Sequence, residues 1–438
     1  MILKYFNRIW RQESLKKKII LTLSIVVLFE FLSIVPVPGI NLAAIESMQR
    51  FLEANQGLAF FSSLMGGGLK SFSIILMGLS PYINAVIIIQ LLAVIIPQLE
   101  ALKKEGETGQ KKIEQYTRWL TLPLAFAQSY GMIVLLNTLL GSNIKLIDVS
   151  NFFGVVLPAM LIITAGTLFL MWLGEIISES GIGNGSSIII FAGVLAGVPQ
   201  HIMSYISVQN YGLLVGLVIA TLGVIYVIVK FTEGYRKIPL IYTRTGRSEK
   251  SYFPIRINQA GMVPIIFAVS LVTFPSLIGQ ILSKKTTGTG ATIGQFLIDN
   301  FSMNNPGWLY ILIYFLLVLG FSYFYVSIVF NTKEVSENIQ KRGGYIPGIR
   351  PGRETAEYLE TTSNHLNLYG GGFLAFIAVF PYIVSKLNDM YSLIDISGSS
   401  KIDFIISGAG LIIVVGVILD LIRKVDAELK SYDYKRFF

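Results

Sequence analysis

Ten long apolar stretches, separated by short polar segments, account for most of this chain. Each covers about 20 residues or more, the length that an α-helix needs to cross the hydrocarbon core of a bilayer. None shows the alternating ten-residue pattern of a membrane β-barrel strand. Because lipid offers the backbone no hydrogen-bond partner, each stretch is predicted to be a helix. The predicted spans are 19–38, 73–97, 117–140, 152–174, 186–206, 211–232, 258–282, 308–330, 366–387 and 403–422.

The run 57–97 departs from this simple pattern. Its first part, 57–72, is apolar and includes three consecutive glycines, but it is too short to cross a bilayer. The span that follows has a G-x-x-P motif at 78–81 and two amide side chains, Asn84 and Gln90. A segment too short to cross, beside a span with an interrupted start and polar side chains, indicates a pore or a binding site rather than a simple anchor.

Composition supports the membrane interpretation. The chain is 53% hydrophobic and 14% charged, with a mean hydropathy of +0.64, which is typical of polytopic membrane proteins. It contains no cysteine, which excludes disulfides, thiolate metal sites and cysteine nucleophiles.

Lysine and arginine are concentrated in alternate segments between the spans. If the N-terminus is cytoplasmic, 28 of the 35 basic residues lie in cytoplasmic segments and seven lie outside. By the positive-inside rule, both termini are predicted to be cytoplasmic. The net charge of +9 then belongs to the cytoplasmic side and the membrane. Such a face suits anionic lipid or an acidic or nucleic-acid partner, although membrane insertion alone requires the same bias.

The ten spans divide into five and five, which predicts an inverted repeat because five is odd. The motif GLSPYI at 78–83 in the second span resembles GMVPII at 261–266 in the seventh. We therefore predict an N-terminal half, 1–206, and a C-terminal half, 207–438. A chance match of so short a motif is the alternative.

Two cytoplasmic loops are longer than turns. The loop 233–257 alternates apolar and basic residues with interspersed tyrosines, a pattern that suits a hairpin standing off the membrane. In the loop 331–365, two prolines and two glycines bracket Arg350 and restrict the backbone. A rigid turn that presents one arginine suits partner recognition, and a solvated charged loop is the alternative.

Signatures of catalysis are scarce. GETGQKK at 106–112 fails the spacing of a phosphate-binding loop, and GIGNG at 181–185 is predicted to be a tight turn between helices. The two histidines, His201 and His365, are predicted on opposite faces and cannot share a metal. We therefore predict no enzyme activity and no cofactor.

Ionisable residues within the spans are also few. Glu30 is the clearest case, and a carboxylate at mid-bilayer costs about 2.5–3.5 kcal/mol on insertion scales. One acid is weak support for ion coupling, which leaves a passive conduit as the favoured function. A secondary transporter of a small solute is the alternative, and a membrane enzyme is the least favoured.

Six blocks in order along the chain resemble the SecY family, the channel subunit of the Sec protein translocon. They are IVPVPGIN (34–41), GLSPYINAVIIIQLL (78–92), KKEGETGQKKIEQYTR (103–118), LGEIISESGIGNGSSIIIF (173–191), INQAGMVPIIFA (257–268) and GYIPGIRPGRET (344–355). The resemblance implies an all-α polytopic membrane protein with ten transmembrane helices in two inverted, pseudo-symmetric halves around an hourglass pore. A short plug helix, matched by 57–72, would close the outer vestibule.

The resemblance also implies roles for particular residues. An apolar ring at the waist of the pore would consist of Leu79, Ile83, Ser186, Ile190, Ile266 and Ile413. The plug would include Phe60, Phe61, Leu64, Gly66, Gly67 and Gly68. A lateral gate between the second and seventh spans would involve Asn84, Gln90, Asn258 and Phe274. Arg350, Arg244 and Arg256 would bind cytoplasmic partners.

Two positions depart from the family pattern. Ser186 replaces the usual apolar ring residue, and its hydroxyl is expected to loosen the seal. Glu30 stands where many members of the family have arginine, and it is assigned no role.

The partners implied by the family are small SecE- and SecG-type membrane subunits, the motor ATPase SecA, the ribosome, signal peptides and nascent chains, all in a lipid bilayer. The implied location is a bacterial inner membrane, and a plastid relative is the alternative.

Overall fold

The computed structural model describes residues 9–10, 12–54, 62, 66–140, 146–148, 151–207, 211–244, 247–285, 289–301, 307–391 and 407–436. The helices up to the first strand are α1 Glu13–Ile34, α2 Leu42–Ala54, α3 Ser80–Ile95, α4 Pro97–Lys104, α5 Glu107–Leu140, α6 Leu157–Ser180, α7 Gly185–Ser207 and α8 Tyr211–Thr232. A π-helical turn, Phe152–Val156, leads into α6. The remaining elements are β1 Tyr235–Arg244, β2 Arg247–Arg256, α9 Val263–Lys285, α10 Thr289–Phe301, α11 Trp308–Val329, α12 Thr332–Lys341, β3 Gly344–Tyr345, α13 Arg353–Tyr391 and α14 Gly408–Arg436.

The chain forms two compact units. The first comprises Met1–Tyr211, Pro275–Asn305 and Val417–Phe438, and the second comprises Gly212–Phe274 and Pro306–Gly416. The break near residue 211 lies close to the boundary predicted between the halves, but two later segments belong to the first unit. The relation of the halves by an inverted repeat stays a prediction.

In the first unit, a large apolar core includes side chains of residues 66–79, which precede α3. Met48 of α2, Leu69 and Phe72 of that segment, and Ile133 of α5 are among its buried members. Asn137 fixes the following loop, since its Nδ2 donates to the carbonyl of Ile147 at 2.9 Å. This core buries apolar side chains that the hydropathy pattern places outside any full span.

The turn between α6 and α7 is tight, as the sequence predicted. The two helices are separated by residues 181–184. A Cβ at Gly185 would overlap the carbonyl of Gly174, so glycine allows the two backbones to approach closely. Thr22 of α1 fixes the turn by accepting a hydrogen bond from the Ile182 amide at 3.2 Å.

The C-terminal part of α14 is packed within the first unit. Lys18 Nζ lies 2.6 Å from Glu428 Oε1, and Leu15, Ile182 and Leu429 form a small buried cluster. These contacts join the two ends of the chain and account for the assignment of 417–438 to this unit.

In the second unit, α11 packs along α13. The contact is close around the glycines of α13, because a Cβ at Gly370 would overlap the Ile257 carbonyl and one at Gly371 would lie 2.8 Å from Ser322 Oγ. Ser322 Oγ also donates to Asn367 Oδ1 at 2.9 Å. Small residues and a buried polar contact therefore hold these helices together.

Five helical stretches of the described chain are long and apolar enough to cross a membrane. They are Glu107–Asn137, Phe152–Ser180, Val215–Thr232, Trp308–Lys341 and Arg353–Asn388. The bent pair α3 and α4 gives a sixth if it is taken as one span. Helix α1 is not among them, because every 18-residue stretch of it contains at least the three charged residues Lys17, Lys18 and Glu30. All ten predicted stretches overlap helices, but the count of ten transmembrane spans stays a prediction.

The predicted span 73–97 was wrong at its start. Residues 74–79 form turns, and α3 begins only at Ser80, with Pro81 in its first turn. The helix stops at Ile95, and α4 leaves at an angle of 107°. Sixteen residues rise by about 24 Å, which is less than the hydrocarbon thickness of about 30 Å.

The two G-x-x-P motifs adopt the same local structure. Gly78 and Gly261 have φ of +52° and +65°, in the left-handed region that favours glycine. In both motifs the helix begins two residues after the glycine, and the proline is its second residue. Proline is well tolerated there because the first helical N–H groups have no partner within the helix. The resemblance between these motifs therefore extends to their backbone conformation.

Candidate functional site

The two long loops that are predicted to be cytoplasmic fold together around one small sheet. Strands β1 and β2 form an antiparallel hairpin, which confirms the hairpin predicted for 233–257. Strand β3, from the other loop, adds to β1 at Ile241 and Tyr242. The prediction of 331–365 as a loop was incomplete, because it also contains α12, β3 and the start of α13. We call residues 235–256 and 332–366 the cytoplasmic body, after the side of the membrane on which they are predicted to lie.

The cytoplasmic body has its own apolar core. Alternation along β1 directs Ile238 and Leu240 to one side of the sheet, where both are buried. They pack with Ile339 of α12 and Leu359 of α13, which are also buried. Because this core joins side chains from both loops, the loops form one folded unit rather than two separate solvated segments.

The opposite face of the hairpin is basic and aromatic. Tyr235 pairs with Arg256 across the strands, and Lys237 and Tyr252 follow on the same face. Lys237 Nζ lies 5.5 Å from the ring centroid of Tyr235 and 5.0 Å from that of Tyr252. About half of each tyrosine surface is exposed. Interleaved cations and aromatic rings suit the binding of an acidic or nucleic-acid surface.

The turn that carries Arg350 has a fixed backbone. Gly348 and Gly352 have φ of +83° and +99°. Ser336 Oγ donates to the Gly352 carbonyl at 2.6 Å, and Thr355 Oγ1 donates to the Arg350 carbonyl at 2.9 Å. The Arg350 side chain is 87% exposed, with its Nη1 at 3.8 Å from Glu354 Oε1. The rigid turn predicted from the prolines and glycines is therefore present.

Two of the three candidate docking arginines, Arg244 and Arg256, lie on the hairpin, but they are far apart. Arg256 is exposed and lies at the base of the hairpin, opposite Tyr235. Arg244 lies at the other end of β1, about 30 Å away at the rise of an extended strand; its side chain is outside the described residues. Arg244 and Arg256 therefore lie at opposite ends of the hairpin and do not form a single docking site.

In the first unit, four of the candidate waist residues form two local pairs. Leu79 is buried and directly precedes α3, and the Ile83 amide donates to its carbonyl at 2.9 Å. Ser186 and Ile190 lie one turn apart on α7, and Ile190 is buried. The hydroxyl of Ser186 donates to Asn184 Oδ1 at 2.7 Å. This polar group is thus hydrogen-bonded at the start of its own helix.

The other two waist candidates lie in the second unit. Ile413 is buried in α14, and Ile266 is partly buried near the start of α9. The assembly of all six residues into one ring stays a prediction.

The gate candidates have different surroundings. Asn84 is partly buried in α3, while the Oε1 of Gln90 is buried with no hydrogen-bond partner in the described structure. Asn258 is buried and accepts a hydrogen bond from the Gly261 amide at 2.9 Å, which fixes the turn before α9. Phe274 lies in α9, and its side chain is outside the described residues.

The plug candidates are described in part. Gly66, Gly67 and Gly68 lie in turns, and the Gly67 amide donates to the Ser62 carbonyl at 2.7 Å. A Cβ at Gly66 would lie 2.8 Å from the ring of Phe29 in α1. The glycine thus allows this segment to pack on α1. Phe60, Phe61 and Leu64 lie outside the described residues, and the plug helix stays a prediction.

A second ion pair between helices of the first unit joins α5 to α6. Arg118 Nε lies 2.7 Å from Glu175 Oε1. Within the described residues, no group of three histidine, aspartate or glutamate side chains is placed to hold a metal ion.

Comparison with known proteins gives a consistent result. The family model SecY matches residues 73–422. The protein translocase subunit SecY of Corynebacterium glutamicum is 38% identical over 97% of this chain and 98% of its own length. A structure of a protein conducting channel matches with a TM-score of 0.63 and 17% identity, over 94% of this chain and 92% of its own. Sec61 in a canine ribosome-channel complex from the endoplasmic reticulum matches with a TM-score of 0.60 and 16% identity, over the same shares. At these identities, the structural matches show the fold alone.

Proposed function

The chain belongs to the SecY family, and we propose that it forms the protein-conducting channel of a Sec translocase. It would pass unfolded preproteins across the membrane and release signal sequences and transmembrane helices sideways into lipid. The main support is a family relationship that covers nearly the whole length of both chains. The relatives are named as translocase subunits, and the similar folds include a protein conducting channel.

The seal of the pore would be apolar. Leu79, Ile190 and Ile413 are buried, so these side chains avoid water. A narrow ring of such side chains excludes water and ions by dewetting, yet it can yield around an extended polypeptide. Because the Ser186 hydroxyl is hydrogen-bonded to Asn184, we infer that it disturbs the seal less than an unpaired hydroxyl would.

Release into lipid would occur between α3 and α9. Both helices begin after a left-handed glycine and carry proline in their first turn. An amide such as Gln90, whose oxygen is buried and unpaired, would contribute about 0.6–2 kcal/mol when it gains an interhelical partner. Contacts of that size bias a gate without locking it.

The driving force would come from a partner on the cytoplasmic body. We propose that its basic, aromatic face and Arg350 bind the motor ATPase SecA or the ribosome, and that SecE- and SecG-type subunits complete the complex in a bacterial inner membrane. A relative of the same fold was solved in a ribosome-channel complex. The exposed pairing of Lys237 with two tyrosines supplies the chemistry that an RNA or acidic surface requires.

Ion leak through reconstituted vesicles tests this function. Ile190→Asn should raise the leak several-fold, because a polar amide at the waist lets water enter the pore. Ile189→Asn is the matched control, since Ile189 is equally buried on the same helix but faces another direction. An equal effect of both variants would indicate general destabilisation and would count against the pore.

Deletion of 57–72 should also raise the leak if this segment is the plug. An unchanged conductance would argue against that role. Saturable uptake of a small solute that depends on Glu30 would favour a secondary transporter instead.

A further inference from the structure

Glu30 places a carboxylate deep within an apolar helix. It follows Lys18 by twelve residues in α1, a rise of about 18 Å. If α1 spans a membrane with Lys18 at its surface, this position is past the midplane of a hydrocarbon core about 30 Å thick. The side chain is half-buried, and within the described residues its carboxylate has neither a hydrogen bond nor an ion pair. The neighbouring Ser33 hydroxyl donates instead to the backbone carbonyl of Glu30, at 2.7 Å.

The two helices that pack most extensively on α1 are α6 and α7, and neither contains lysine or arginine. Helix α14 does contain these residues, but its contacts described above are with Leu15 and Lys18, at the other end of α1 from Glu30. A carboxylate in a membrane span is normally paired or faces water. The partner of Glu30 is therefore to be sought on the side of α1 that the chain leaves open.

The exposed apolar residues on that open side of α1 are spaced like the residues of a helix-packing seam. Leu23, Val27 and Ile34 are 58%, 68% and 70% exposed. With Glu30 they recur at intervals of four, three and four residues, the pattern by which one helix packs along another at a small crossing angle. Glu30 lies within this seam, at the edge of the exposed face.

We propose that the seam of Leu23, Val27, Glu30 and Ile34 binds a transmembrane helix of another chain, and that this helix presents a lysine or arginine to Glu30. Lipid tails would satisfy the three apolar side chains but would leave the carboxylate unpaired. A basic residue in the partner's span faces the same problem, so both charges gain from pairing. The inference requires that α1 spans a membrane, and it does not depend on the pore.

Photo-crosslinking in the native membrane tests the proposal. A photoreactive phenylalanine derivative replaces Val27 in the full chain, and the crosslinked protein is identified by mass spectrometry. We expect an adduct with a membrane protein whose spanning helix contains lysine or arginine. Glu30→Gln, which keeps the size of the side chain, should lower the adduct yield roughly fivefold or more. The same probe at Leu28, which lies farther from Glu30 around the helix, is the matched control and should be unaffected by Glu30→Gln.

Charge reversal gives the decisive comparison. Glu30→Lys should abolish the adduct, and replacement of the partner's basic residue by glutamate should restore it. The amount of the Glu30→Lys variant in the membrane shows whether this variant inserts. If it does not insert, the Glu30→Gln variant still tests the proposal.

Several results would overturn the proposal. They are lipid adducts alone at Val27, an adduct with a second copy of this chain, a partner with no basic residue in its span, and a yield unchanged by Glu30→Gln. Lys70 belongs to the segment that packs on α1 through Gly66. If Lys70→Gln lowered the yield as strongly as Glu30→Gln, the carboxylate would have its partner within its own chain and the proposal would fail.

Discussion

Arg350 and Arg353 lie three residues apart on the cytoplasmic body and allow a matched test of docking. Their side chains are 87% and 91% exposed, and each forms an ion pair with a glutamate four residues later. Such pairs contribute about 0.5 kcal/mol or less, so Arg350→Gln and Arg353→Gln should both leave stability nearly unchanged. Arg350→Gln should lower motor-driven preprotein translocation about tenfold, and Arg353→Gln less than twofold. Equal effects would show that the fixed turn confers no special role on Arg350.

Gly261 tests the conformation required before α9. Its φ is +65°, and a Cβ at this position would have no atom within 4 Å. Gly261→Ala should therefore destabilise the chain by about 1–2 kcal/mol through backbone conformation alone. Gly261→Asn should cost less, because asparagine tolerates the left-handed region better. Thermal unfolding in detergent measures both variants. An alanine variant as stable as the parent would contradict the role assigned to the glycine.

At the residue scale, sequence reasoning located the special backbone positions better than the partners of polar side chains. The prolines and glycines around Arg350 predicted a rigid turn, which the structure contains. The gate assignment of Asn258 stays a prediction, but the sequence did not predict that its amide oxygen holds the turn at Gly261. The hydroxyl of Ser186 likewise binds Asn184. Backbone restrictions are local to a motif, whereas the partner of an amide or hydroxyl depends on the turn in which it lies.

At the scale of elements, the three consecutive glycines of α13 have different roles. Gly370 has no room for a side chain against the Ile257 carbonyl, while a Cβ at Gly372 would have no atom within 4 Å. Gly372→Ala should stabilise the chain by about 0.5–1 kcal/mol, because alanine restricts the unfolded chain and favours helix. Gly370→Ala should destabilise it by about 1–3 kcal/mol through overpacking. Unfolding midpoints in detergent measure the difference, and the same sign for both would contradict these roles.

Hydropathy predicted the helices well where each could be recognised from its own residues. The span predicted at 211–232 coincides with α8. The span predicted at 73–97 failed at its start, because apolar residues 74–79 form turns inside a core rather than a helix. Strand β3 was missed because two residues form it only by pairing with a hairpin about 100 residues earlier in the chain. Apolar length identifies a buried segment, but the conformation of short segments depends on contacts from distant parts of the sequence.

At the scale of the whole molecule, the two compact units do not coincide with an N-terminal and a C-terminal half of the chain. Pro275–Asn305 and Val417–Phe438 belong with the N-terminal helices. The second of these segments is held by the ion pair of Lys18 with Glu428 and by Leu15 with Leu429. No sequence pattern predicts an ion pair between two residues that are 410 positions apart in the chain. A count of spans predicts two halves, while these long-range contacts decide which segments belong to each compact unit.

The proposed lateral gate can be tested by crosslinking position 84 in α3 to position 274 in α9. The chain contains no cysteine, so Asn84→Cys and Phe274→Cys introduce the only two thiols. If α3 and α9 border one lateral gate, a short crosslinker should join these positions and stop the secretion of a signal-bearing preprotein. Each single variant treated with the same reagent controls for chemical modification, and the reduced double variant controls for the substitutions. A crosslinker with a long flexible spacer should restore part of the secretion, because the helices could still separate. If preprotein were still secreted after the short crosslinker had joined the two positions, the gate would be refuted. In that case, an ion leak raised by Ile190→Asn would still support the pore.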